Sequence, residues 1–117
     1  MRVLAFEDGY DIEALLTAGG VNTATLTLEQ RWNSLDELAH IAAFAPDVML
    51  LDHFMPPHTG RAVLDALLTS DTPRPATVIA MSSEASMNDA MVRAGADLGV
   101  VKFDLAALAV WDGHRQA

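Results

Sequence analysis

One carboxylate stands directly after an unbroken apolar run. Val48 to Leu51 leads into Asp52, and Met55-Pro56-Pro57 and Gly60 then break the chain. A short apolar run closed by turn residues reads as a strand buried on both faces, so Asp52 stands at its carboxyl end. Glu7 and Asp8 follow a second such run, Arg2 to Phe6. Ser82 and Ser83 follow a third, Ala76 to Met81, and Lys102, the only lysine, lies near the end of a fourth, Leu98 to Phe103. Three crowded carboxylates repel one another, and a hard divalent ion relieves that repulsion. Mg²⁺ takes oxygen ligands of this kind. A carboxylate can also attack phosphorus and become an aspartyl phosphate. The transferred group then needs metal, cation and hydroxyl around its oxygens. Asp52, Lys102 and Ser82 would supply nucleophile, cation and hydroxyl.

Bringing these residues together requires a parallel sheet. Asp11 to Ala18 has helical apolar spacing and stops at Gly19-Gly20. Asn22 to Leu28 alternates threonine with apolar residues, which predicts a second strand at an edge. Ser34 and Glu37 form a capping-box pattern before an apolar stripe of Leu35, Leu38, Ile41, Ala42 and Ala45. Val63, Leu64, Leu67 and Leu68 mark a third helix, and Thr69 to Pro75 a loop. Ser86 to Ala94 predicts a short fourth helix, and Asp104 a cap for a last helix reaching about Trp111. Strands alternating with helices give an α/β domain with helices on both sheet faces. The flavodoxin-like order 2-1-3-4-5 suits the exposed second strand and sets the ends of strands one and three side by side.

Composition narrows the partners. The net charge of −9 argues against nucleic acid and anionic membrane, which need a basic patch. The chain has no cysteine, hence no disulfide framework or thiol chemistry, which fits the cytoplasm. No apolar run reaches membrane-span length, and MRVLAFED is too short in its apolar part for a signal peptide. Residues 1–117 read as one domain.

The full set resembles the receiver domain of response regulators in two-component signalling, over essentially the whole chain. The matching pieces are Glu7-Asp8, the PDVMLLDHFMP block, Gly60, the VIAMSSEA block and AGADLGVVK. The resemblance implies that Asp52 is the phosphoacceptor and that Glu7, Asp8 and Asp52 bind Mg²⁺ with the backbone carbonyl of Phe54. It implies that Ser82 is the hydroxyl residue closing on the phosphoryl group, and Lys102 the phosphate-binding lysine. Phe54 and Glu84 match the positions that line the approach of hydrolytic water. The implied partners are a histidine kinase or histidine phosphotransfer protein and a downstream protein. The implied activity is that of a phosphoacceptor rather than an enzyme, with no output domain attached. Two positions depart from the family: Gly99 stands where it has its switch aromatic, and Phe103 follows the lysine in place of a cis proline. Gly99 therefore makes the loop from Ser82 and the short fourth helix the expected mobile element, with a trans bond before Phe103.

Other readings attach to the same residues. Glu7 and Asp8 also suit a helix start, and Ser82 a strand-ending cap for which Ser83 is a substitute. His53 and His58 flank Asp52, but their spacing fits loop histidines better than transition-metal ligands. Trp32 and Trp111 suit packing or partner contacts, and the methionines core filling. The altered Gly99 and Phe103 positions also fit a binding module of this fold that works without phosphate. A phosphohydrolase with an Asp nucleophile would need a second Asp at residue 54, where the chain has Phe54.

Overall fold

The computed structural model describes residues 1–117, and its elements alternate as the sequence predicts. They are β1 (Arg2–Phe6), α1 (Ile12–Ala18), β2 (Thr27–Arg31), α2 (Glu37–Phe44), β3 (Val48–Leu51), α3 (Gly60–Leu68), β4 (Thr77–Ala80), α4 (Ala85–Ala94) and β5 (Leu98–Gly99). The five strands form one parallel sheet in the order β2-β1-β3-β4-β5. This is the expected flavodoxin-like arrangement. All four residues of β3 are buried, as are Val3–Phe6 of β1, because helices cover both faces of the sheet. On one face Leu4, Phe6, Met49, Leu51 and Val78 pack against Ile41, Val63, Leu64 and Met91. On the other, Val3, Ala5, Leu50 and Ile79 pack against Ile12, Leu16, Leu105 and Trp111. Each fully buried aliphatic side chain contributes about 1.5–3 kcal/mol, so these two layers stabilise the sheet that carries the site.

Several local expectations differ from the structure. The second strand begins at Thr27 rather than Asn22. Asn22 Oδ1 accepts from the Ala24 N–H at 3.3 Å and caps a 3-10 turn over Thr23–Thr25. The threonine alternation thus belongs partly to a turn, and only the stretch paired with β1 is strand.

Ser34 does not cap α2. The cap is Asp36, in the left-handed region at φ 55°, without a side-chain hydrogen bond. Ser34 is buried, and its Oγ accepts from the His58 N–H and donates to the His58 carbonyl, both at 2.7 Å. Two backbone groups of the loop after β3, the N–H and carbonyl of His58, outcompete the local cap. Leu35 is consequently exposed, and so are Ala42 and Ala45 of the expected stripe.

The fourth helix is not short: at ten residues it is the longest in the chain. β5 is shorter than expected, because the chain leaves the sheet after Gly99 and Lys102–Ala107 form a 3-10 segment, followed by another at Ala109–Trp111. Those segments replace the predicted last helix. Trp111 is fully buried, its Nε1–H donates to the Leu105 carbonyl at 2.9 Å, and Trp32 is exposed. The only cis bond joins Pro56 and Pro57, so the Lys102–Phe103 bond is trans.

Candidate functional site

Pairing of β1 with β3 brings Phe6 beside Leu51, so Glu7 and Asp52 emerge next to each other. Their oxygens and one of Asp8 all lie within 4.8 Å of one another. Glu7 and Asp52 are buried, whereas Asp8 is exposed. Glu7 Oε2 accepts from the N–H of Gly9 at 2.8 Å and of Tyr10 at 3.2 Å, which fixes that carboxylate.

Lys102, buried at the far side of the sheet end, reaches across to both acids. Its Nζ lies 2.7 Å from Glu7 Oε1 and 3.6 Å from Asp52 Oδ2. The short contact to Glu7 is a buried ion pair. The Tyr10 ring centroid lies 5.0 Å from Nζ, and Phe103 meets Tyr10 edge-on at 5.2 Å.

Burial, reinforced by the Glu7 carboxylate, raises the pKa of Asp52 from 3.8 to about 6, against the opposing pull of Lys102. A buried acid with a raised pKa beside like charges is the electrostatic signature of a functional site. The residues fit a divalent cation on two counts. The three carboxylates bring oxygens within 4.8 Å of one another with one lysine to balance them, and a second positive charge would relieve the destabilised Asp52 anion. The three acids thus form a cluster able to hold a metal ion.

The remaining predicted site residues fall as follows. Ser82 is buried one strand along from Asp52, because β4 pairs with β3, while Ser83 is exposed. Ser82 Oγ accepts from the Glu84 N–H at 3.2 Å. Glu84 is exposed and precedes α4 without capping it through its side chain. Phe54 is exposed, with its ring edge-on to His53 at 4.9 Å. His53 and His58 lie outside the acidic cluster, and His58 Nδ1 sits 3.3 Å from Glu37. At Gly60 a Cβ would come within 2.1 Å of the Asp52 carbonyl oxygen, so only glycine lets the loop after β3 fold back onto α3.

Sequence reading missed two residues that shape this end of the sheet. Gln30 donates to the carbonyls of Glu7 and Tyr10 at 3.0 and 2.8 Å and accepts from the Ile12 N–H at 2.9 Å, bracing the acidic loop. Nothing in its local sequence marks it. Asn88 holds Ser82 from α4, and an asparagine inside a helical pattern is a poor helix former, which was the available signal. The one concave pocket, among Ile41, Ala45, Pro46, Arg74 and Pro75, lies beside the start of β3 and contains none of these groups.

No protein-family model matches the sequence, and no curated protein matches it. Solved structures do. The signal receiver domain of a DNA-binding response regulator from Colwellia psychrerythraea 34H superposes with a TM-score of 0.70 at 20% identity, over 87% of this chain and 85% of that one. The chemotaxis response regulator CheY4 of Vibrio cholerae gives 0.70 at 21% identity, over 86% and 85%. The signal receiver domain of the response regulator NarL from Mycobacterium tuberculosis gives 0.69 at 23% identity, over 97% and 94%. The chain has the receiver-domain fold. None of its helices is long and apolar enough to cross a membrane.

Proposed function

We propose that this protein is a response-regulator receiver that accepts a phosphoryl group on Asp52. The observation that carries the reading is the meeting of Glu7, Asp8, Asp52 and Lys102 at the carboxyl end of the two central strands. An Asp52 oxygen forms the bond to phosphorus as the P–N bond of a phosphohistidine breaks. The bonding pair returns to the imidazole, which takes a proton from water. Glu7, Asp8 and Asp52, with the Phe54 carbonyl, would hold Mg²⁺, which when bound neutralises phosphoryl charge. Lys102 pairs with a phosphoryl oxygen, and the Ser82 hydroxyl donates to another. Phosphate adds about two negative charges at pH 7 and shifts the population of a partner-binding surface. The donor is a histidine kinase or histidine phosphotransfer protein, and the receiver is not itself an enzyme beyond its own phosphorylation and dephosphorylation. A cysteine-free chain without a membrane-spanning helix is compatible with action in the cytoplasm.

Incubation with acetyl phosphate and Mg²⁺ is expected to add the mass of one phosphoryl group, mapped to Asp52. Asp52→Asn is expected to abolish the increment, and Asp8→Asn to weaken it severely. Absence of the increment in the wild-type chain, with a control receiver loaded in parallel, would leave a binding module that works without phosphate.

The phosphoryl group is expected to be long-lived. The Phe54 ring offers no hydrogen bond to an attacking water, and Glu84 is the only polar side chain of the two positions matched to its approach. Phe54→Asn should speed loss of the label in a pulse-chase measurement. Equal or slower loss would remove Phe54 from this role.

A further inference from the structure

We infer that Asn88 is the positioning residue that couples Ser82 to α4 and β5, so that loading at Asp52 is felt on that face of the domain. The inference rests on the phosphoacceptor reading. Asn88 is 2% exposed, and every hydrogen-bonding direction it uses is committed to backbone. Its Oδ1 accepts from the Ser82 N–H at 2.7 Å, and its Nδ2 donates to the carbonyls of Ser82 at 2.9 Å and Val100 at 2.8 Å. One side chain on α4 thus brackets both peptide groups of Ser82 and also holds the chain leaving β5. Glu84 gives α4 no side-chain cap, and the Asn88 N–H reaches the Glu84 carbonyl only at 3.4 Å. Asn88 is therefore a principal tie between the start of α4 and the sheet.

Gly99 makes this tie possible. A Cβ there would come 2.9 Å from Asn88 Cβ and 3.4 Å from its backbone, so a side chain would push α4 away from β5. Asn88 fills the space that Gly99 leaves open. Leaving a buried amide unpaired is unfavourable. A displacement of Ser82 toward a group on Asp52 must therefore carry the Asn88 amide with it, and through it the first turn of α4 and Val100.

The test is hydrogen exchange on the full chain with Mg²⁺ and beryllofluoride, a phosphoryl-like anion. In the wild-type chain, exchange is expected to slow at residues 48–60, which report loading, and by about fivefold at 98–104, the low end of ordinary site-to-site coupling. Asn88→Ala is expected to keep the response at 48–60 and lose that at 98–104. Asn88→Asp keeps the acceptor for the Ser82 N–H but loses both donations, and should lose the 98–104 response alone. Gly99→Ala should do the same with Asn88 intact, and it keeps the test open if Asn88→Ala fails to fold. A merely structural clamp would speed exchange at 82–88 in the free variants and leave the induced response at 98–104 in place, which would overturn the inference. No response at 48–60 in the wild-type chain would overturn the phosphoacceptor reading and this inference with it.

Discussion

Lys102→Met is expected to destabilise the metal-free protein by about 3–5 kcal/mol at pH 8, the usual loss when one partner of a buried ion pair is removed. Glu7 and Asp52 then face each other in a buried site with no cation, since Lys102 is the only positive group within ion-pair distance of either. The loss should be pH-dependent. Asp52 binds its proton more tightly in the folded state, with a pKa of about 6 against 3.8. Its contribution to stability is therefore present at low pH and lost as pH rises through that window, on the order of 3 kcal/mol in the wild-type protein. Removing Lys102 takes away the one influence of a positive group that lowers this pKa, so the variant should suffer less at pH 5 than at pH 8. Urea denaturation followed by circular dichroism at both pH values, in chelator, reads the effect. Equal losses at the two pH values would mean that Lys102 contributes packing rather than charge.

Trp111→Ala is expected to remove about 3–5 kcal/mol, a large share of the stability of a domain this size. The side chain is wholly enclosed with Leu105, Ile12 and Leu16, and its Nε1–H is satisfied by the Leu105 carbonyl. The 3-10 segments around it lack the regular hydrogen bonds of an α-helix, so burial of Trp111 is what holds them to the sheet. Arg115 ties the same segments by donating to the carbonyls of Ala106 and Leu108 at 2.8 and 2.9 Å. Trp111→Phe should cost less than the alanine variant, because it keeps most of the apolar surface and loses the hydrogen bond. The two variants can be ranked by thermal unfolding monitored at 222 nm. A small loss for alanine would show that the carboxyl-terminal segment is not part of the cooperative unit.

These two variants probe opposite ends of what could be foreseen. The acids at the strand ends were legible because their signal is local: each follows an apolar run that has nowhere to go but a buried strand. The parallel order followed from the alternation of elements and from one strand being less buried than the rest. Asp52, Glu7, Asp8, Ser82 and Lys102 could thus be set at the carboxyl end of one sheet from sequence alone.

Tertiary structure decided the features that depend on partners far along the chain. Ser34 looked like a helix cap, yet its buried hydroxyl serves the His58 backbone, 24 residues away, because the fold of the loop after β3 brings that N–H and carbonyl onto it. Gln30 braces the acidic loop from 18 to 23 residues away, and no local pattern records that reach. Thr23–Thr25 had the period of a strand and became a turn, since only Thr27–Arg31 met a pairing edge on β1. Lys102 was expected in a strand and instead opens a 3-10 segment, because β5 stops after Gly99, where α4 closes in through Asn88. Sequence by itself determined which chemical groups stand at the ends of which strands, because burial patterns are short-range. Which backbone groups those side chains hold, and so how the site is braced, was decided by the folded chain, because a hydrogen bond is assigned only when every competitor for it is in place.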